Sequence, residues 1–171
     1  MIISSHLLCR GGDILHEITK TFLSPNKKEI TVYKIFRYDL INNRYLSLYG
    51  HTIGNSGYLH DFVYPDMGKW ISCYIDATGQ KWPDILIDPI CEGIKYSMGF
   101  HSYMNYDQAE EIFLTDFKDE KSKKIRYALC ECRAKFRLYY GIINYVVNTN
   151  KEISSELCIS RGIKIFKELE V

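Results

Sequence analysis

The segment from Ala128 to Ala134 constrains the fold most. Small side chains recur at every second position, Ala128, Cys130, Cys132 and Ala134, within the run "KIRYALCECRAKFRLYYG". Period-two spacing puts all four on one side of a β-strand. A face so small lets another element approach closely, so the run is expected to be a central strand. The C-x-C pair of Cys130 and Cys132 would also set two thiols side by side for zinc, but no second closely spaced pair exists to complete four ligands. The six cysteines are therefore expected to be reduced, buried thiols with no metal, because a chain of 171 residues can hold a core without disulfides.

The flanking segments read as further strands with two helices. Asp13 can cap a helix whose Ile14, Leu15, Ile18 and Phe22 recur on one face, and "SPN" at 24–26 ends it, leaving His16 off the apolar stripe. Asn105 and Gln108 stand at capping-box spacing ahead of Ala109, Ile112, Phe113 and Phe117, which predicts a second helix. "EITVYKIFRYDL" and "YLSLYGH" are β-like, and Asn42 with Asn43 between them suits a tight antiparallel turn. Pro65 to Gly68 predicts a turn before a strand starting at Lys69, and "DILIDPI" a short apolar strand or an irregular segment cut off by Pro89. "YSMGFHSYM" alternates as one strand, and "INYVVNT" and "GIKIFKEL" as two more, with "EISSELCI" between them as a short helix or extended link. No repeat or linker divides residues 1–171. The expected fold is α+β: a single domain with an antiparallel-rich or mixed sheet and two main helices, near 13–23 and 106–118.

Composition narrows the function classes. A net charge of +1 supplies no global field for phosphates, and the densest basic run, "KDEKSKK" at 118–124, mixes in acids and reads as a solvated loop. Nucleic acid is accordingly not expected as a partner, since no local basic patch can be assembled from spacing. The amino terminus, "MIISSHLLCRGGD", has too short an apolar run for a membrane span and no basic leader for secretion, so the expected location is cytoplasmic. No Gly-rich phosphate loop, HExxH, G-x-S-x-G or Cys-His constellation occurs. The 14 Tyr, 8 Phe and 2 Trp instead offer large, partly polar surfaces suited to crevices and interfaces.

Five residues stand out as a candidate pocket or binding surface: His51, Trp70, His101, Tyr103 and Glu131. On a strand, His101 faces away from Phe100 and to the same side as Tyr103. The pair either lines a cavity, or His101 is a hydrogen-bonded histidine at a sheet edge or core boundary. Trp70 and Trp82 flank loops, where each either plugs the core or presents an anchor to a partner.

Two resemblances add to these readings. "VYKIFRYD", "YLSLYG", "YPDMGKW", "GFHSYMNYDQAEEIF" and "SSELCISRGIKIFKEL" occur in that order and resemble a loose group of small phage and mobile-element proteins of unassigned function. That likeness implies a viral origin and a non-enzymatic accessory protein that binds a host or viral protein, antagonism of host defence included, in the host cytoplasm; a structural virion component is the alternative. No cofactor goes with this reading. "LYGHT" at 48–52, "GFHSY" at 99–103 and Glu131 in "CECR" are similar to ADP-ribosyltransferase-like folds. This second resemblance implies an NAD enzyme in which His51 holds a ribose, Tyr103 stacks on nicotinamide and Glu131 binds a ribose hydroxyl.

Overall fold

The structure is a computed structural model that describes residues 21–22, 28–52, 58–87, 95–97 and 99–171. In chain order its elements are β1 (Thr21–Phe22), β2 (Ile30–Asp39), β3 (Arg44–Leu46), β4 (His51–Thr52), β5 (Leu59–His60), β6 (Trp70–Ser72), β7 (Ile85–Ile87), β8 (Lys95–Ser97), β9 (Phe100–Tyr103), α1 (Tyr106–Asp116), β10 (Ile125–Val146) and β11 (Glu152–Glu168).

The small-residue run forms the centre of the larger sheet. Its strand, β10, pairs antiparallel with β2 from Ile125↔Asp39 to Ala134↔Ile30 and with β11 from Cys130↔Glu168 to Val146↔Glu152. Strand β9 pairs with β11 and meets β2 at Tyr33↔Tyr103, so β2, β10, β11 and β9 close into a ring. Ala128, Cys130, Cys132 and Ala134 are all buried, and the segment carrying Phe62, Tyr64, Cys73 and Trp82 packs over that face. On the opposite face, Ile35, Leu129, Leu157 and Ile159 meet Ala109, Ile112, Phe113 and Phe117 from α1 and the residues just after it. A second sheet, ordered β5–β4–β7–β8, stands apart in its pairing.

The α+β expectation with two main helices is corrected: the fold is sheet-dominated, with one helix among the described residues. The expected helix near 13–23 lies outside the described residues except at its end, where Thr21 and Phe22 are strand, paired with Tyr140 and Tyr139. A β-branched and an aromatic residue fit a pleated sheet, and a pairing partner more than a hundred positions away overrides the local helical spacing. The second helix stands as Tyr106–Asp116, with Asn105 Oδ1 accepting from the Gln108 N–H at 3.3 Å.

"INYVVNT", "EISSELCI" and "GIKIFKEL" are not separate elements. The first continues β10, and the other two are one strand, β11, joined to it by a turn in which Asn150 takes φ 62°. The hairpin is irregular where the register shifts between Arg137 and Tyr139, close to Phe136 at φ 56°. Gly162 permits the close approach there, since a Cβ on it would stand 3.2 Å from Lys135 Cγ.

Candidate functional site

Among the described residues, α1 covers the sheet face it packs on at one end only, and the other end is open. Along β10, the residues alternating with the buried Cys132 and Ala134 are Glu131, Arg133 and Lys135. Along β11, Ile163 and Ile165 point into the core, and Lys164 and Phe166 point out. Strand β6 adds two outward residues: Ile71 lies opposite Ile163, which leaves Ser72 opposite Gly162 and Trp70 opposite Lys164. Cross-strand register then sets Trp70, Lys164, Arg133 and Thr31 in one row over four strands, a span of roughly 14 Å at the usual strand spacing.

Cations and rings interleave on this face. Lys135 Nζ is 4.0 Å and Lys164 Nζ 5.0 Å from the Trp70 ring centroid, while the Arg133 guanidinium lies 4.3 Å from the ring of Phe166, itself 50% exposed. Glu131 is the acid among them. Its carboxylate accepts from Arg133 at 2.6 Å and sits 3.5 Å from Lys167 Nζ, and the Arg133 bond, followed by the nearby Lys167 charge, holds its pKa below the usual carboxylate value.

The five predicted site residues do not converge. Trp70 and Glu131 belong to the open face. Tyr103 shares the side of the sheet with Glu131, two strands away across Tyr33, but is only 1% exposed and its ring packs into the core under α1. Burial pushes its phenol pKa up. His101 is buried too, with Nδ1 donating to the Gly99 carbonyl at 3.2 Å, while its own carbonyl accepts from buried Lys34 at 2.7 Å. His51 belongs to β4 of the second sheet, paired with His60. Of the two tryptophans, Trp82 is buried against Phe62 and Trp70 is on the surface row.

Sequence reasoning missed Lys135, Lys164, Arg133 and Phe166. The signal present was their alternation with Ala134, Ile163 and Ile165, but which cations would share a ring depends on the β10–β11 register and on β6, neither of which spacing reveals.

Tyr103 gives a clean test of burial. Its hydroxyl has no hydrogen-bond partner among the described residues. Tyr103→Phe should therefore leave stability unchanged or raise it by about 1 kcal/mol in urea unfolding, because an unsatisfied buried polar group is removed. A loss above roughly 2 kcal/mol would mean that the hydroxyl is bonded.

No helix among the described residues is long and apolar enough to cross a membrane, and no group of three or more metal-ligating side chains gathers among them. No family model, curated protein or solved structure matches the chain.

Proposed function

We propose that the chain is a non-enzymatic binding module, of the phage or mobile-element kind its sequence resembles, that engages a host or viral protein through the open sheet face. The observation that carries this reading is the pairing of surface rings with cations: Trp70 with Lys135 and Lys164, and Phe166 with Arg133. Tryptophan and arginine are the residues most enriched where protein interfaces concentrate their binding energy. Antagonism of a host function, defence included, follows from the resemblance and rests on it alone. An ADP-ribosyltransferase-like NAD enzyme has less support, because the Tyr103 ring is sealed in the core and Glu131 is engaged by two cations.

The test is photo-crosslinking in cells that carry the gene, with a benzophenone amino acid at Phe166 or, as a control, at Ile41, which is 63% exposed in the β2–β3 turn. Position 166 should capture a defined protein that position 41 does not. The same products from both positions, or none, would overturn the reading. Stoichiometric recovery of the chain in purified virions would replace it with a structural role.

A further inference from the structure

The cations of the open face fall into two pairs that differ in one respect. Arg133 and Lys167 share the carboxylate of Glu131. Lys135 and Lys164 share the ring of Trp70, and among the described residues neither has an ion-pair partner. An indole face attracts each ammonium, but it does not cancel the repulsion between two of them. The first pair shows that a carboxylate fits between cations spaced by this β10–β11 register. The second pair has the same kind of spacing, a half-buried aromatic wall and no acid.

We infer that Lys135, Lys164 and Trp70 form the seat for an aspartate or glutamate side chain of an acidic segment in the protein partner. The inference rests on the protein-binding reading of this face. A carboxylate there would meet two ammonium groups already held by the ring, so less side-chain freedom is lost than in an ordinary surface ion pair. Phe166, two positions along β11 from Lys164 and half exposed, offers an apolar rest for the residue beside that acid. A single-stranded nucleic acid would also bring negative charge. Its bases, however, would have to stack on rings that already carry Lys135, Lys164 and Arg133, and the net charge of +1 adds no long-range attraction for a polyanion.

The experiment titrates the full chain with an amidated octaglutamate peptide, an uncharged glycine-serine octapeptide and octathymidylate, following tryptophan fluorescence at moderate salt. Octaglutamate should give a saturable change, the glycine-serine peptide none, and octathymidylate a weaker one. The double variant Lys135→Glu with Lys164→Glu should bind octaglutamate at least about tenfold more weakly, whereas Lys123→Glu with Lys124→Glu, the same charge change in the exposed 118–124 loop, should stay within about twofold. Lys135→Gln with Lys164→Gln carries the test if charge reversal unfolds the chain. Absence of saturation with octaglutamate, equal losses in the two double variants, or octathymidylate binding as tightly as the peptide would overturn the inference. If the acidic peptide fails while the Phe166 cross-link persists, the acidic-partner inference falls and the protein-binding reading stands; if both fail, both fall.

Discussion

Stability of this protein should collapse between about pH 9 and pH 11, by roughly 3 kcal/mol for each pH unit, after holding nearly level from about pH 7 to 8 and falling by roughly 1 kcal/mol from pH 8 to 9. The cause is the cysteine-rich face under the Phe62–Trp82 segment. Burial pushes the thiols of Cys73 and Cys132 up to about 12 and that of Cys130 higher still. An unfolded thiol ionises near 8.5, so above that pH the unfolded chain has released protons that the folded chain keeps. The unfolded state then binds fewer protons, and each such thiol lowers stability by about 1.4 kcal/mol per pH unit as pH rises.

Lys34 works in the opposite direction. It is buried on the same face, and desolvation lowers its pKa to about 8, only partly offset by the nearby Cys132. An unfolded lysine holds its proton to about 10.4, so between pH 8 and that value the unfolded chain binds the extra proton and this lysine's own contribution to stability rises with pH. Three thiols against one lysine leave a net loss of about two proton equivalents above pH 9, and buried phenols such as Tyr64 and Tyr145 add to it once unfolded tyrosines begin to ionise near 10. Urea midpoints measured from pH 7 to 11 under reducing conditions would show this profile. Cys132→Ala should flatten the fall by about one half, and Lys34→Met should remove the level stretch below about pH 8 and steepen the fall. A midpoint unchanged up to pH 10.5 would show that these thiols are not sealed from solvent.

What could be read from the sequence was what local chemistry decides. Asn43 takes φ 52° in the turn expected of the Asn42–Asn43 pair, Gly68 takes φ 87° in the turn after Pro65, and Asn105 caps the helix it was expected to cap. The alternation of Ala128 to Ala134 likewise gave both the central strand and its buried face. Where pairing partner decided the outcome, reading failed. Thr21 and Phe22 carry a helical spacing yet pair with β10, and the small residues near Gly141 and Gly162 interrupt what is one continuous hairpin. Lys34 follows the alternation of β2 into the core, where its ammonium donates to the His101 carbonyl, a bond 67 positions long that no pattern announces. The open face has the same character. Trp70 reads as either a core plug or a partner anchor, but the lysines over its ring come from β10 and β11, and His51, singled out with it, belongs to another sheet.

Asp76→Ala should cost about 3–5 kcal/mol, a large fraction of the roughly 5–15 kcal/mol that stabilises a typical domain. Asp76 is 4% exposed, and its carboxylate is the acceptor around which the segment over the cysteine face is folded. Oδ1 accepts from Thr78 N at 2.8 Å, Thr78 Oγ1 at 2.6 Å and Gln80 N at 3.1 Å, while Oδ2 faces Val63 N and Trp82 Nε1, each at 3.4 Å. Removing it strands the Val63 and Trp82 donors, which are buried, while the donors of exposed Thr78 and Gln80 turn to water, and a buried donor without an acceptor costs more than the bond was worth. Trp82 then loses the contact that orients it against Phe62, and the cover over Cys73, Cys130 and Cys132 loosens. Asp76→Asn keeps an oxygen for Thr78 and Gln80 and turns a donor toward Val63 and Trp82, so about half the loss should remain. The check is urea unfolding together with the rate of thiol modification under native conditions. Asp76→Ala should accelerate labelling of the buried cysteines many-fold, because opening this segment is the route by which reagent reaches them. A loss below about 1 kcal/mol with unchanged labelling would show that the aromatic packing of Phe62, Tyr64 and Trp82 holds the segment without its carboxylate.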